Sequence, residues 1–241
     1  MLPYIIINGV SSKNINGLLI QSLPPISKPK IRTSIEEVDG RDGDIVTTLG
    51  FAAYDKTISV GLKPNAYIDD IIEYFNTSGK IIFSNELDKY YLFRCYDVIN
   101  FERLVRYRTA NINLHMQPFK YPVDEQPIVV NNNVSGDVPL LFNKTIRNNG
   151  NYKSLPVYEF KGSGDIYFYL NGELVLQVNL PQTTEAILDT KEMNLKTPNG
   201  IYLNRYATGD YNDLSLPVGD NTLTVTGIIE TLKVYNFSRW I

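Results

Sequence analysis

The stretch Tyr90–Tyr121, YYLFRCYDVINFERLVRYRTANINLHMQPFKY, decides how this chain reads. Tyr, Phe, Val and Ile recur along it, the residue types that fit a pleated, half-buried surface, and only polar corners such as Asn100 interrupt it. It predicts two or three β-strands and closes on the run Gln117-Pro118-Phe119-Lys120-Tyr121. It contains no nucleophile–base pair, no metal-ligand cluster and no glycine-rich phosphate loop. A structural β protein is therefore expected before an enzyme.

Upstream of this stretch, Tyr4–Ile7 and Gly17–Gln21 read as short strands. Pro24-Pro25-Ile26-Ser27-Lys28-Pro29 imposes an extended segment, because proline fixes φ and biases its predecessor away from helix. Val38–Asp44 is a Gly/Asp turn cluster leading to Leu49-Gly50-Phe51. Ile58, Val60 and Leu62 alternate with Thr57, Ser59 and Gly61, the period of a half-buried strand. One helix is predicted over Ala66–Asn76, where Ile68, Ile71, Ile72 and Phe75 form a stripe at i, i+3, i+4 and i+7. Asn65 is placed to cap it, Asp69 and Asp70 suit its positive end, and Gly79 is placed to stop it. Strands resume at Lys80–Phe83.

Asp124–Asp137 is short of core residues and marks a boundary, giving domains 1–135 and 136–241. In the second domain Asp165–Leu180 reads as a hairpin turning at Asn171-Gly172, a pair that tolerates φ > 0 at both central positions. Gly162-Ser163-Gly164 reads as a turn. Leu223 and Val225 alternate with threonines, and Ile229–Phe237 gives a last strand. The fold class is mainly β, α+β in the first domain and a β-sandwich in the second.

Composition bounds the function. A net charge of −3, spread evenly, argues against sequence-specific nucleic-acid recognition, which needs a broad basic face. Cys95 is the only cysteine, so no internal disulfide is available. The opening MLPYIIINGV lacks the basic flank of a signal peptide, and no apolar run approaches the roughly 20 residues of a membrane span, so no membrane insertion is expected. No cofactor is implied.

His115 is the only histidine and lies in a strand, where a non-catalytic role is expected. Asp39, Asp42 and Asp44 resemble part of a calcium loop, but the positions that would need Gly and Glu hold Asp44 and Gly50, so a turn is expected. Arg103, Arg106 and Arg108 suit cross-strand or subunit pairing with acids. Seventeen tyrosines are ambiguous between protein contacts and sugar stacking. In the hairpin, Ile166, Phe168 and Leu170 oppose Tyr167 and Tyr169, which favours core or interface over an open sugar platform.

Several pieces occur together in a fixed order: Asn8-Gly9, the proline-basic segment Pro24–Arg32, Gly40-Arg41-Asp42-Gly43, Leu49-Gly50-Phe51, the single helix, Phe83-Ser84-Asn85-Glu86, Phe101-Glu102-Arg103 and the Gln117 run. In this order the chain resembles the distal tail proteins of siphophages, the hubs of the tail tip or baseplate. The resemblance implies a ring-forming first domain and a galectin- or carbohydrate-module-like second domain. It implies a homo-hexamer with two kinds of partner: the major tail (tube) protein, and a tail-associated, tail-fibre or receptor-binding protein. It implies a place at the virion tail tip after assembly in the bacterial host cytoplasm.

Arg41, Asp42, Leu49 and Phe51 are then expected at the subunit interface, with Tyr167 and Tyr169 docking partners. The alternatives are a carbohydrate-binding module for cell-surface attachment and a β-sandwich hydrolase. Catalytic and metal-ligating residues are not expected.

Overall fold

A computed structural model describes residues 2–104, 107–131 and 140–241. Two compact units are present, one ending at Val123 and the other running Asp124–Trp240. The domain boundary expected at 135/136 falls outside the described residues. Among the described residues no helix is long and apolar enough to cross a membrane.

The first unit contains β1 (Ile5–Ile7), β2 (Val10–Ser11), β3 (Leu18–Ser22), β4 (Ile31–Glu37), β5 (Asp44–Phe51), β6 (Tyr54–Leu62), α1 (Ile68–Phe75), β7 (Ser78–Phe83), β8 (Lys89–Arg94), β9 (Glu102–Leu104) and β10 (Tyr107–Pro122). The opening stretch supplies β8, β9 and β10, as its composition predicts. Antiparallel pairing gives the order β2-β1-β7-β8-β10-β6-β3, with β9 also on β10. Alternation along β6 and β10 puts Ile58, Val60, Ile112 and Leu114 fully inside.

The helix differs from expectation in three details. Tyr67, not Asn65, is its N-cap residue and makes no capping bond. Asn65 is instead tied to Asn16 by reciprocal amide bonds of 3.2 and 3.3 Å. The buried stripe is Ile71, Tyr74 and Phe75, while Ile72 is exposed. Tyr74 can enter the core because its hydroxyl donates to the Val10 carbonyl at 3.1 Å.

Gly79 does not stop the helix, which ends before Asn76; it lies in β7 at φ +138°. There the Asn8 side chain takes over the pairing, donating to Ser78 O at 3.1 Å and accepting from Lys80 N at 2.9 Å. A Cβ on residue 79 would lie 2.2 Å from Asn8 Oδ1.

The second unit contains β11 (Ile128–Asn131), β12 (Leu140–Asn148), β13 (Val157–Leu170), β14 (Glu173–Asp189), β15 (Asn194–Lys196), β16 (Ala207–Gly209) and β17 (Gly219–Tyr235). Asn171 and Gly172 turn the β13–β14 hairpin at φ +53° and +91°, as their sequence predicts. β11 and β12 pair with successive halves of β17, and β15 and β16 with separate parts of β14.

The three long strands therefore serve two half-sheets folded over one core, with Phe160 of one half 5.6 Å from Phe168 of the other. Gly162-Ser163-Gly164 is not a terminal turn but the corner where β13 bends, marked by register shifts. A Cβ at Gly162 would sit 2.4 Å from the Ile228 carbonyl, and one at Gly227 would sit 2.5 Å from that of Asp165. Glycine lets the two backbones cross there.

Candidate functional site

β4 and β5 pair only with each other, as a two-stranded sheet of their own. Their register places Ile31 opposite Phe51, Thr33 opposite Thr48 and Ile35 opposite Val46, so one face of the hairpin carries an aliphatic row. Ile35 and Val46 are each 58% exposed. A two-stranded hairpin is marginal in water by itself, so an arm of this kind ordinarily needs a third surface. The hairpin end is acidic: Glu36, Glu37, Asp39, Asp42 and Asp44 surround Arg41, all exposed. Gly40 and Gly43 make the turn at φ +81° and +78°.

The sequence-expected contact residues are all on this arm, in different roles. Arg41 and Asp42 are at the exposed end, while Leu49 is the bulged residue of β5 and 56% exposed. Phe51 is half-buried at the root, packed edge-on to Phe119 at 5.6 Å. Ile31, Ile35 and Val46 were not singled out from sequence. Their signal was the alternation Ile31-x-Thr33-x-Ile35, which shows one apolar side but not what covers it.

The root explains the Gln117 run. Along β10, Met116 pairs with Phe93 and Lys120 with Tyr91, so three residues oppose one across this bulge. Pro118 fits there because a bulge relieves the ladder of the N–H that proline lacks. Past the bulge, Lys120 donates to Glu86 at 2.6 Å, and the Tyr91 hydroxyl donates to the same carboxylate at 2.6 Å. Both ionic side chains are nearly covered, Glu86 11% and Lys120 13% exposed.

Lys56 completes the cluster from a core-facing position of β6, buried, with its ammonium donating to the Pro25 carbonyl. Burial lowers its pKa, partly offset by Glu86. Burial, and then Glu86, push the Tyr54 phenol up to about 12. Burial, with the hydrogen bond to Glu86, also raises Tyr91. Motif pieces that are far apart in sequence thus converge on one cluster, which fixes the proline-rich segment entering the hairpin and the aromatic contact at its exit.

Elsewhere, His115 Nδ1 lies 2.8 Å from Asp55 Oδ1 on the sheet's outer side, beside Tyr96. Arg103 is in β9 and pairs with Arg108 of β10, while Arg106 lies outside the described residues. Asp39 and Asp42 lie in the hairpin turn, and Asp44 opens β5 opposite Glu37. Among the described residues no group of His, Cys, Asp or Glu could hold a metal ion. Tyr167 and Tyr169 are half-buried on the outer side of the second unit, opposite the buried Ile166, Phe168 and Leu170. Beside Tyr167, Asp165 accepts from Asn179 at 2.5 Å and Gln177 at 3.3 Å.

Residues 9–116 match a family described as the phage tail protein RIFT-related domain. Within the first unit, these residues are thus similar to a domain of phage tail proteins. Along its whole length the chain shares the fold of the SPP1 Dit protein, described as a paradigm of the hub adsorption apparatus in phages infecting Gram-positive bacteria. That likeness has a TM-score of 0.71 at 18% identity and covers 100% of both chains. The resemblance to siphophage distal tail proteins drawn from the sequence is supported on both counts. A chain of the phage P2 baseplate in its Ca-activated conformation matches at TM-score 0.47 and 8% identity, covering 98% of this chain and 100% of that one. No curated protein sequence matches.

Proposed function

We propose that this chain is a tail-tip hub: copies join head-to-tail into a hexameric ring that connects the tail tube to the host-adsorption apparatus. The first domain forms the ring, and the second is a β-sandwich that supplies a docking surface for other tail-tip proteins. The observation that carries this is the β4–β5 hairpin, whose aliphatic row is left uncovered in a unit matching a phage tail domain. A head-to-tail contact uses two different surfaces per copy and closes without self-complementarity, so a protruding arm suits it.

Arg41, Asp42 and Leu49 lie in that contact, and Phe51 fixes the angle at which the arm leaves the unit. The ring's partners are the tube protein on one side and a tail-associated, fibre or receptor-binding protein on the other. Tyr167 and Tyr169 supply contact area for such a partner, because Asp165 already engages both neighbouring amide groups that would otherwise serve sugar hydroxyls. The protein assembles in the host cytoplasm and has no catalytic activity.

Negative-stain imaging with light scattering over a concentration series tests this. Rings with a central hole and growth toward six copies are expected. A strict monomer at every concentration, unchanged when tube or tip partners are added, would refute the proposal.

A further inference from the structure

If the hairpin is the ring contact, some surface on the next copy must receive it, and the first unit offers one of matching shape and charge. β3 is the last strand of the eight-stranded sheet and pairs on one side only, with β6. A groove of about 660 Å³ runs beside it and is lined by the successive residues Gly17, Leu18, Leu19, Ile20 and Gln21. Successive strand side chains point to opposite faces, so a groove touched by all of them follows the strand's free edge.

Its lining also includes apolar Leu2, Pro3 and Ile15 and polar Ser12 and Asn16, and its two charged lining residues are Lys13 and Lys63. Both lysines are exposed, and Lys13 lies 3.6 Å over the Tyr4 ring. Among the described ion pairs neither takes part.

We propose that the β4–β5 hairpin of one copy seats along the free edge of β3 in the next. Its Ile31, Ile35 and Val46 enter the groove, and its acidic end meets Lys13 and Lys63. This rests on the hairpin being the subunit contact.

Three features fit together. An unpaired edge strand presents free N–H and C=O groups, and each hairpin strand has a free edge of its own to pair with them. The groove's apolar residues match an aliphatic row in which Ile35 and Val46 stay 58% exposed. Between Glu36 and Asp44 the hairpin carries five carboxylates against one guanidinium, while the groove's charges are both positive and no carboxylate lines it. The two surfaces are distinct and both belong to the first unit, so each copy can give one and take the other, the requirement for a closed ring.

Disulfide trapping between differently labelled full-length chains, both carrying Cys95→Ser, tests the proposal. One chain carries Val46→Cys and the other Leu19→Cys; a third carries Val98→Cys, exposed between β8 and β9 and outside the groove lining. Mixing and mild oxidation should give a dimer of Val46→Cys with Leu19→Cys and little with Val98→Cys. Lys13→Glu with Lys63→Glu should weaken assembly roughly tenfold at low salt, an effect lost at high salt.

Trapping with Val98→Cys and not Leu19→Cys would overturn the groove as acceptor while leaving the hairpin as the contact. Trapping with neither, in a protein that still forms rings when Ile35 and Val46 are changed to Asp, would instead refute the hairpin reading beneath it.

Discussion

Replacing Ile35 and Val46 together by aspartate should abolish association while leaving each copy folded. In the isolated chain both side chains are mostly in water, so the exchange removes little native packing; the two carboxylates then face each other across the strand pair and should cost the hairpin about 1 kcal/mol locally. In the proposed ring the same atoms would be buried. Complete burial of an Ile or Val side chain contributes about 1.5–3 kcal/mol, and 58% of each remains to be covered, leaving about 0.9–1.7 kcal/mol per residue. The pair therefore supplies about 2–3.5 kcal/mol per contact, and its loss weakens each contact about 30–300-fold. Two aspartates forced into an apolar groove add a desolvation penalty in the same direction.

Sedimentation velocity across a concentration series reads the association, and thermal melting of the same samples reads the fold. Phe51→Asp is the informative contrast: it removes the contact with Phe119 and should lower the melting temperature as well as assembly. Unchanged association of the double variant would refute the role given to the hairpin. A large parallel loss of melting temperature would show that Ile35 and Val46 serve the fold of their own unit.

Glu86→Gln should destabilise the first unit by about 2–3 kcal/mol in urea, because Lys120 would keep its charge in a nearly covered place without its partner. Glu86→Leu with Lys120→Met and Tyr91→Phe, which leaves neither donor facing a lost carboxylate, should recover most of that loss, and additive losses would show that the groups are not coupled. Alkaline titration should reveal Tyr54. Its folded pKa of about 12 lies above the unfolded value of 10.0, so its contribution is complete below pH 10 and is lost as pH rises from 10 to 12. Tyr54→Phe should flatten the stability profile in that window, and an unaltered slope would discount it. Calorimetry of the full chain against cell-wall and capsular saccharides should give no heat above dilution; micromolar binding lost in Tyr167→Ala would establish the carbohydrate-binding alternative instead.

The periodic signals in the sequence were enough for much of the fold. Alternation in Thr57–Leu62 set the buried face of β6, and Asn171-Gly172 set the second-unit hairpin, because both depend on local steric preferences. The helix was legible in place but not in detail. Its cap and its third core residue depended on Asn16 and on the Val10 carbonyl, each more than forty positions away along the chain.

Gly162-Ser163-Gly164 carried a glycine signal that sequence could assign only to a turn. That it is a bend shared with Gly227 follows from two strands crossing at close range, which no local pattern records. The Gln117 run was recognisable by resemblance, yet its physical purpose was not.

Sequence by itself determined which residues could form strands and which turns, since those preferences belong to each residue and its near neighbours. Only the tertiary structure decided that Lys120, Glu86, Tyr91 and Lys56 meet at the hairpin's root, and that Ile35 and Val46 farther along it stay mostly exposed. Burial and pairing of charges are properties of the space between distant segments, and that space is created only when the chain has folded.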